Sequence, residues 1–164
     1  MARKIRVMAT GVFDLLHPGH IAFLTEAKKL GDELVVVVAR DSTVKRLKHA
    51  PITPESSRLE MVSSLKPVDR AVLGNEGDIY DILSQIRPDV VVLGYDQVHN
   101  ERKVLEECRK RGLRSTRVVR LPKYEGDLDG TRKIVRRVRE WLTLEEKLQS
   151  VEGSTKEPPS RGVQ

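Results

Sequence analysis

Short apolar runs alternate with segments of helical periodicity along most of the chain. The valine-rich runs at 33–39 and 89–94 are continuous, which is typical of strands buried on both faces. Shorter runs at 5–10, 71–74 and 115–121 predict three further strands. Strands that alternate with helices indicate a parallel sheet covered on both sides. We therefore expect an α/β fold: a Rossmann-like, doubly wound parallel sheet of about five strands in a three-layer αβα arrangement.

Apolar residues at helical spacing lie between these strands. They predict helices at 18–30, 54–65, 78–86, 101–111 and 129–149. The inward face of the first helix is expected to carry Ile21, Leu24, Ala27 and Leu30, and the last helix aligns Ile134, Val138, Trp141, Leu144 and Leu148. From residue 151 the chain is polar and lacks periodicity, so we expect a domain at 1–150 and a disordered tail at 151–164.

Composition narrows the class of protein. The 164 residues suffice for one domain with its own core. No apolar run approaches the ~20 residues of a membrane-spanning helix, and the N-terminus lacks the pattern of a secretion signal. We therefore expect a cytoplasmic protein without a membrane partner. The single cysteine, Cys108, excludes an internal disulfide and a cysteine-based zinc site, and it is interpreted as a small core thiol.

The net charge of +6 fits two classes of protein, a nucleic-acid binder or an enzyme that handles polyanionic nucleotides. Only two Phe, three Tyr and one Trp are present, so no basic surface with interleaved aromatic rings is visible. A nucleic-acid partner is therefore not favoured. The basic residues of the last helix are interpreted as its solvated face.

The loop GVFDLLHPGH follows the first strand and leads into the first helix. Ligands of doubly wound sheets bind at such strand ends. His17 and His20 are three residues apart, so both imidazoles occupy neighbouring positions on the first helical turn. Pro18 suits the first helical position, and Gly19 permits close approach to the backbone. Together with the free N–H groups of the helix start, these features predict a phosphate site.

Two other interpretations of this histidine pair stay open. The rings could be a satisfied capping or surface pair, or they could bind a metal ion. A zinc site is less favoured because the remaining histidines, His49 and His99, give no local ligand spacing. We favour phosphate binding because the pair coincides with the expected strand-end site.

The same loop resembles the HxGH signature of the cytidylyltransferase-like nucleotidyltransferases. The segments LGDELVVVVARDSTVKRLK, PITPESSRLEMVSSLKPVDRAVLG and VVVLGYDQ resemble the archaeal FAD synthetases of this family, over about residues 4–125. The resemblance implies that Val12 and Phe13 offer backbone contacts to the nucleotide. It also implies that the stretch from His17 through Pro18 and Gly19 to His20 holds the phosphates, with both histidines stabilising charge on the α-phosphate.

The resemblance assigns further roles along the chain. Lys45 or Lys48 resembles a mobile lysine that covers the triphosphate, and Lys45 is our choice. Asp96 and Tyr124 match positions that contact the adenosine, while Asp14 has no clear role. A divalent metal ion, Mg²⁺ or another, is expected to arrive with ATP and to need few protein ligands, so no protein metal site is assigned.

The implied reaction is attack of FMN on the α-phosphate of ATP to give FAD and pyrophosphate. Other interpretations are a glycerol-3-phosphate cytidylyltransferase that uses CTP, a phosphopantetheine adenylyltransferase, and a nucleotide- or RNA-binding module without catalysis. The stretch KYEGDLDGTRKI departs from the RTEGISTT segment of the cytidylyltransferases, which weakens the case for CTP and for a phosphate contact from Thr131. The resemblance also leaves room for a homodimer.

Overall fold

The computed structural model describes residues 3–47, 50–97 and 99–154, and its centre is a parallel β-sheet. The five strands found in this part of the chain are β1 (Arg6–Gly11), β2 (Glu33–Val38), β3 (Arg70–Leu73), β4 (Val90–Leu93) and β5 (Arg117–Arg120). They lie in the order β3-β2-β1-β4-β5, and each pairs in parallel with its neighbours. This is the predicted doubly wound sheet, and its order reverses between β1 and β4.

Helices connect the strands and cover both faces of the sheet. They are α1 (Pro18–Lys28), α2 (Asp41–Leu47), α3 (Glu55–Ser63), α4 (Ile82–Ile86), α5 (Glu101–Lys110) and α6 (Thr131–Ser154). Helices α1 and α3 pack with Val7, Ala9 and Val36 on one face. Helices α4 and α5 pack with Met8, Val35 and Val91 on the other. The three-layer arrangement is therefore confirmed, and Cys108 is buried in the second core cluster as expected.

Three expectations about helices need correction. Helix α2 was not predicted, because its seven residues are too few to show a hydrophobic period. The helix expected at 78–86 begins only at Ile82, after a turn. Ile21 is 45% exposed rather than inward, while Leu24 and Ala27 on the same helix are buried against the sheet.

Helix α6 begins at Thr131 and continues to Ser154, four residues into the segment assigned to the tail. Residues 155–164 of that predicted tail lie outside the described residues. Within the described ranges, none of the helices combines the length and apolar character needed to cross a bilayer.

A fully buried arginine on α3 ties the layers together next to the β1–α1 loop. Arg58 donates to the carbonyl oxygens of Thr53 (3.0 Å) and Val12 (2.6 Å) and to the Asp41 carboxylate (2.6 Å). The positive charge of Arg58 is thus paired with Asp41, and each of its three guanidinium nitrogens donates a hydrogen bond. A buried guanidinium requires such partners. Arg58 is therefore an ion-paired structural residue of α3.

We expect Arg58→Met to lower the free energy of unfolding by about 3 kcal/mol, because it leaves Asp41 and two carbonyl groups without their donor. Denaturant titration of both proteins measures the difference. Arg102→Met is the control, since Arg102 is 90% exposed in its pair with Glu106 and its loss should cost less than about 0.5 kcal/mol. Equal costs for the two changes would contradict this role of Arg58.

Candidate active site

A cleft of about 1090 Å³ opens at the carboxyl ends of the strands. Its walls come from the segments that follow β1, β2, β4 and β5, where the strand-end rule predicted the chemistry. Gly74 and Asn75, just after β3, add a fifth side. All five strands therefore contribute their carboxyl ends to one site.

The loop between β1 and α1 has an unusual backbone. Phe13 and Leu15 have φ angles of 56° and 47°, in the left-handed region that residues with a side chain rarely adopt. Such a conformation costs on the order of 1–3 kcal/mol and persists only where the surroundings hold it. Arg58 holds the Val12 carbonyl, and the Thr131 hydroxyl donates to the Asp14 carbonyl at 2.8 Å. The loop is thus fixed from α3 and from α6.

Asp14 is a third anchor of this loop. Its carboxylate accepts hydrogen bonds from the Ile52 N–H (2.8 Å), the Thr53 N–H (3.0 Å) and the Thr53 hydroxyl (2.6 Å). Burial alone would raise the pKa of Asp14, but these hydrogen bonds and the charge of Arg58 outweigh it and lower the pKa. Asp14 therefore fastens the loop to the segment before α3, a role that the sequence did not reveal.

The two histidines meet at the start of α1. Their rings stack with centroids 3.7 Å apart and an angle of 22° between planes. His17 is the N-cap, and its Nδ1 accepts from the His20 N–H at 3.4 Å. A neutral His17 ring that accepts at Nδ1 carries its proton on Nε2. The Phe13 ring meets His20 edge-on at 5.3 Å and fixes its other side.

Both imidazoles are neutral at physiological pH. Burial, and next the neighbouring His17, lower the pKa of His20 to about 3. Burial also lowers the pKa of His17, although the charges of Asp129 and Asp96 oppose the shift. Among the described residues, His20 Nδ1 is a buried side-chain nitrogen without a hydrogen-bond partner. An unsatisfied buried nitrogen is uncommon and often marks a functional site, and a bound anion would raise the pKa of both rings.

Gly19 is required by a close approach from another part of the chain. A Cβ at this position would lie 2.6 Å from the Asp129 carbonyl oxygen. Asp129 is held there by Lys133, whose Nζ lies 2.8 Å from its carboxylate, and by the Gly126 N–H at 3.3 Å. The segment after β5 therefore closes on the helix start and brings the Asp129 charge near His17. Sequence reasoning missed Asp129, whose only local signal is its i, i+4 spacing to Lys133.

The structure brings together most of the predicted site residues. The cleft is lined by Val12, Phe13, His17, Gly19, His20, Asp96 and Tyr124. Pro18 occupies the first position of α1 and is exposed outside the cleft lining. Lys45 is exposed on α2 and does not line the cleft either. Lys48 lies outside the described residues.

Two further residues shape the loop after β4. Gln97 Nε2 donates to the Thr10 carbonyl at 2.5 Å and so links the ends of β1 and β4. Arg120 donates to the carbonyl groups of Gly94 (2.7 Å) and His99 (2.7 Å). These contacts position Asp96 at the cleft. The position of Arg120 at the carboxyl end of a predicted strand was the available sequence signal.

One side of the cleft is an apolar recess above α4 and α5. It is lined by Met8, Val37, Ile79, Tyr80, Ile82, Leu83, Val91, Leu93, His99 and Val104. Tyr80 and His99 meet edge to face with centroids 6.4 Å apart, and Lys103 Nζ lies 5.9 Å from the Tyr80 ring. The recess thus offers an apolar floor and aromatic edges on the side of the sheet opposite to α1.

This chain is similar to one described protein family and to proteins that share one name. A family model described as Cytidylyltransferase-like matches residues 8–157. The FAD synthase of Aciduliprofundum boonei is 66% identical over 132 residues, which cover 80% of this chain and 88% of that protein. The FAD synthase of Thermoplasma volcanium is 50% identical over 138 residues, 84% of this chain and 96% of that protein.

A solved structure has the same fold. It is the crystal structure of a protein described as the lipopolysaccharide core biosynthesis protein from Thermoplasma volcanium GSS1. It aligns with a TM-score of 0.72 and 53% identity and covers 75% of this chain and 100% of its own.

The low pKa of His20 has a consequence for stability. The ordinary value of 6.5 applies to the unfolded chain, which therefore binds a proton before the folded chain does. Stability should be constant above pH 6.5 and fall as the pH decreases from 6.5 toward 3. At pH 5, His20 alone should lower the free energy of unfolding by about 2 kcal/mol.

Denaturant unfolding at a series of pH values measures this effect. The variant His20→Asn lacks the titrating group. Between pH 7.5 and pH 5, its free energy of unfolding should fall by about 2 kcal/mol less than that of the native chain. His17 leaves a smaller slope of the same sign in both proteins. If the free energy of unfolding changed with pH in the same way in both proteins, the neutral, desolvated state of His20 would be contradicted.

Proposed function

Since the chain belongs to the cytidylyltransferase-like family, we propose that it is an FAD synthase, which transfers the adenylyl group of ATP to FMN and releases pyrophosphate. The FAD synthases at 66% and 50% identity match it over four-fifths of its length. The observation in the structure that supports this function most directly is the stacked pair of neutral imidazoles at the start of α1. It provides donors where a phosphate chain would meet the helix N-terminus.

We assign to His17 and His20 the stabilisation of the α-phosphate. Both rings border the cleft and are held by stacking, by Phe13 and by the capping hydrogen bond. Donors that are fixed before the reaction lose little free energy in reorganisation when charge develops on the phosphate. A bound phosphate chain also favours the protonated rings, which would strengthen the same contacts.

The acceptor needs no general base. A phosphate monoester such as FMN has its second pKa near ~6, so its oxygen is a nucleophile at neutral pH. That oxygen attacks the α-phosphorus of ATP, a new P–O bond forms, and the bond to the bridging oxygen of the β-phosphate breaks with the electron pair leaving on pyrophosphate. The remaining task of the protein is to position both substrates and to stabilise charge.

A divalent metal ion fits this site as a companion of ATP. Within residues 3–47, 50–97 and 99–154, no cluster of three or more His, Cys, Asp or Glu side chains is arranged around a common metal position. Mg²⁺ binds readily through phosphate oxygens and water with few protein ligands. When bound, the ion neutralises charge on the departing pyrophosphate.

The two ends of the cleft suggest where the two substrates lie. We assign the adenosine to the side of Asp96 and Tyr124, which follow β4 and β5. We assign the isoalloxazine ring to the apolar recess above α4 and α5, because a flat, largely apolar ring system gains most from such a surface. The histidine pair lies between these sides, on the helix that follows the central strand β1.

Lys45 stays a prediction as the lysine that covers the triphosphate. It is exposed on α2 and outside the cleft lining, so this role requires α2 to move toward the nucleotide. Lys123, Arg132 and Lys133 line the cleft in the present arrangement and supply positive charge near the phosphate chain.

We expect His17→Ala and His20→Ala each to lower kcat for FAD formation by about a hundredfold to a thousandfold, the usual cost of losing one donor to developing charge. Chromatography of FAD formed from FMN, ATP and Mg²⁺ provides the measurement, with pyrophosphate release as a second readout. Thr25→Ala, an exposed change on the same helix, is the control and should keep kcat. Native-like turnover in both histidine variants would refute the assigned role, and native protein that forms no FAD would refute the function.

The recess assignment makes a separate prediction. Ile79→Trp narrows the recess from a turn outside the helices, so the KM for FMN should rise about tenfold or more while the KM for ATP stays unchanged. Steady-state kinetics with each substrate varied in turn measures both constants. Ile52→Trp places the same side chain at an exposed isoleucine outside the cleft lining and should change neither constant. A rise in the KM for ATP alone would place the adenosine in the recess instead.

A further inference from the structure

Two polar side chains interrupt the apolar lining of the recess above α4 and α5. Every lining residue of the recess has an apolar side chain except Tyr80 and His99. They come from different segments, since Tyr80 lies in the turn before α4 and His99 precedes Asn100, the N-cap of α5. Their rings meet edge to face, with centroids 6.4 Å apart and an angle of 72° between planes. The recess therefore has one polar spot, built by an aromatic pair.

Both members of this pair are uncharged at physiological pH. Burial, followed by the charges of Arg120 and Lys103, lowers the pKa of His99. Burial, followed by two neighbouring carboxylates, raises the pKa of Tyr80. A neutral imidazole has one N–H donor and one acceptor nitrogen, and a phenolic hydroxyl can both donate and accept. The pair thus presents donors and acceptors to a ligand without adding charge to the recess.

These polar atoms are held in place but not used by the protein itself. In the part of the chain that the structure describes, the hydrogen bonds of Tyr80 and His99 run through their backbone groups and not through their rings. Arg111 Nη2 lies 2.7 Å from the Asp78 carboxylate, which in turn accepts from the Tyr80 N–H at 2.8 Å. Arg120 donates to the His99 carbonyl at 2.7 Å. Each ring is thus positioned before a ligand binds, which lowers the cost of ordering it.

We propose that Tyr80 and His99 determine the specificity for the acceptor by hydrogen bonding to the pyrimidine edge of its isoalloxazine ring. This inference rests on the proposed function and names the groups that select FMN. The pyrimidine edge has an imide N–H between two carbonyl groups, and the rest of the ring system is largely apolar. An apolar recess with one polar pair matches such a ligand, because its polar edge finds partners while its apolar part is buried.

The other acceptors considered for this family match the recess less well. Glycerol 3-phosphate has hydroxyl groups but no apolar body to cover the walls, and phosphopantetheine spreads its amide groups along a flexible chain. Neither has an imide edge. A site whose buried polar groups are left unpaired by a ligand rejects that ligand strongly. The pair therefore favours a flavin over both of these phosphate esters.

Substitutions that keep the rings test the polar atoms alone. Tyr80→Phe and His99→Phe should each raise the KM for FMN about fivefold to tenfold, the usual cost of one hydrogen bond, and leave the KM for ATP unchanged. Steady-state kinetics with each substrate varied in turn measures both constants. Tyr95→Phe is the matched control, because it removes a hydroxyl from a cleft residue outside the recess, beside Lys123. It should leave the KM for FMN unchanged, and thermal unfolding checks that every variant is folded.

A second measurement identifies the edge of the ring that the pair contacts. Lumiflavin carries the isoalloxazine ring without a phosphate, and 3-methyllumiflavin lacks the imide N–H. Fluorescence titration gives the dissociation constant of each compound for the native chain and for the double variant Tyr80→Phe/His99→Phe. The methyl group should weaken binding to the native chain, and the ratio of the two constants should be about fivefold to tenfold smaller in the double variant. Phenylalanine keeps the bulk of both rings, so a steric cost of the methyl group would remain in both proteins.

The outcomes separate this proposal from the proposed function. If the native chain forms FAD and both single variants keep its KM for FMN, the specificity pair is overturned and the function stands. If the native chain forms no FAD but binds lumiflavin with the expected change in ratio, the function is refuted and the pair remains a flavin site. An equal ratio in the native chain and the double variant would overturn the contact with the imide edge. A KM for ATP that rises as much as the KM for FMN would also contradict the proposal.

Discussion

The site depends on a loop that is held in a backbone conformation it would not adopt alone. The segment from Val12 to His17 has two residues with left-handed φ angles, and three separate parts of the chain fasten it. Arg58 contributes a buried charge from α3, Thr131 a hydroxyl from α6, and Asp14 a carboxylate that grips the segment before α3. Since His17 ends this loop and caps α1, the position of the two imidazoles depends on these contacts.

The burial of the two histidine rings also determines their charge. Burial keeps both rings neutral, so no positive charge on them has to be stabilised in the free protein. The unpartnered Nδ1 of His20 is a cost to the stability of the free protein. Under the proposed function, an anionic phosphate chain would supply the charge that favours protonation of the rings. The electrostatics of the site would then improve when the nucleotide binds.

Sequence patterns predicted the sheet well because its signals are local. The valine runs of β2 and β4 can be read within six residues, and the strand-end rule then located the cleft. The same reasoning missed α2, whose seven residues are too few to show a period, and it placed Ile21 inward although this side chain is 45% exposed. Asp129 could not be found this way, because its approach to Gly19 joins positions more than a hundred residues apart. Close packing between distant segments is not encoded in either segment alone.

Helix α6 contributes to the site through its first turn. Its first turn belongs to the cleft, since Thr131 fastens the loop at Asp14 and Lys133 holds Asp129 beside His17. The rest of the helix touches none of these groups and is exposed throughout the described part. The contacts of α6 with the site therefore come from the start of the helix, where Thr131 and Lys133 tie the β1–α1 loop to the segment after β5.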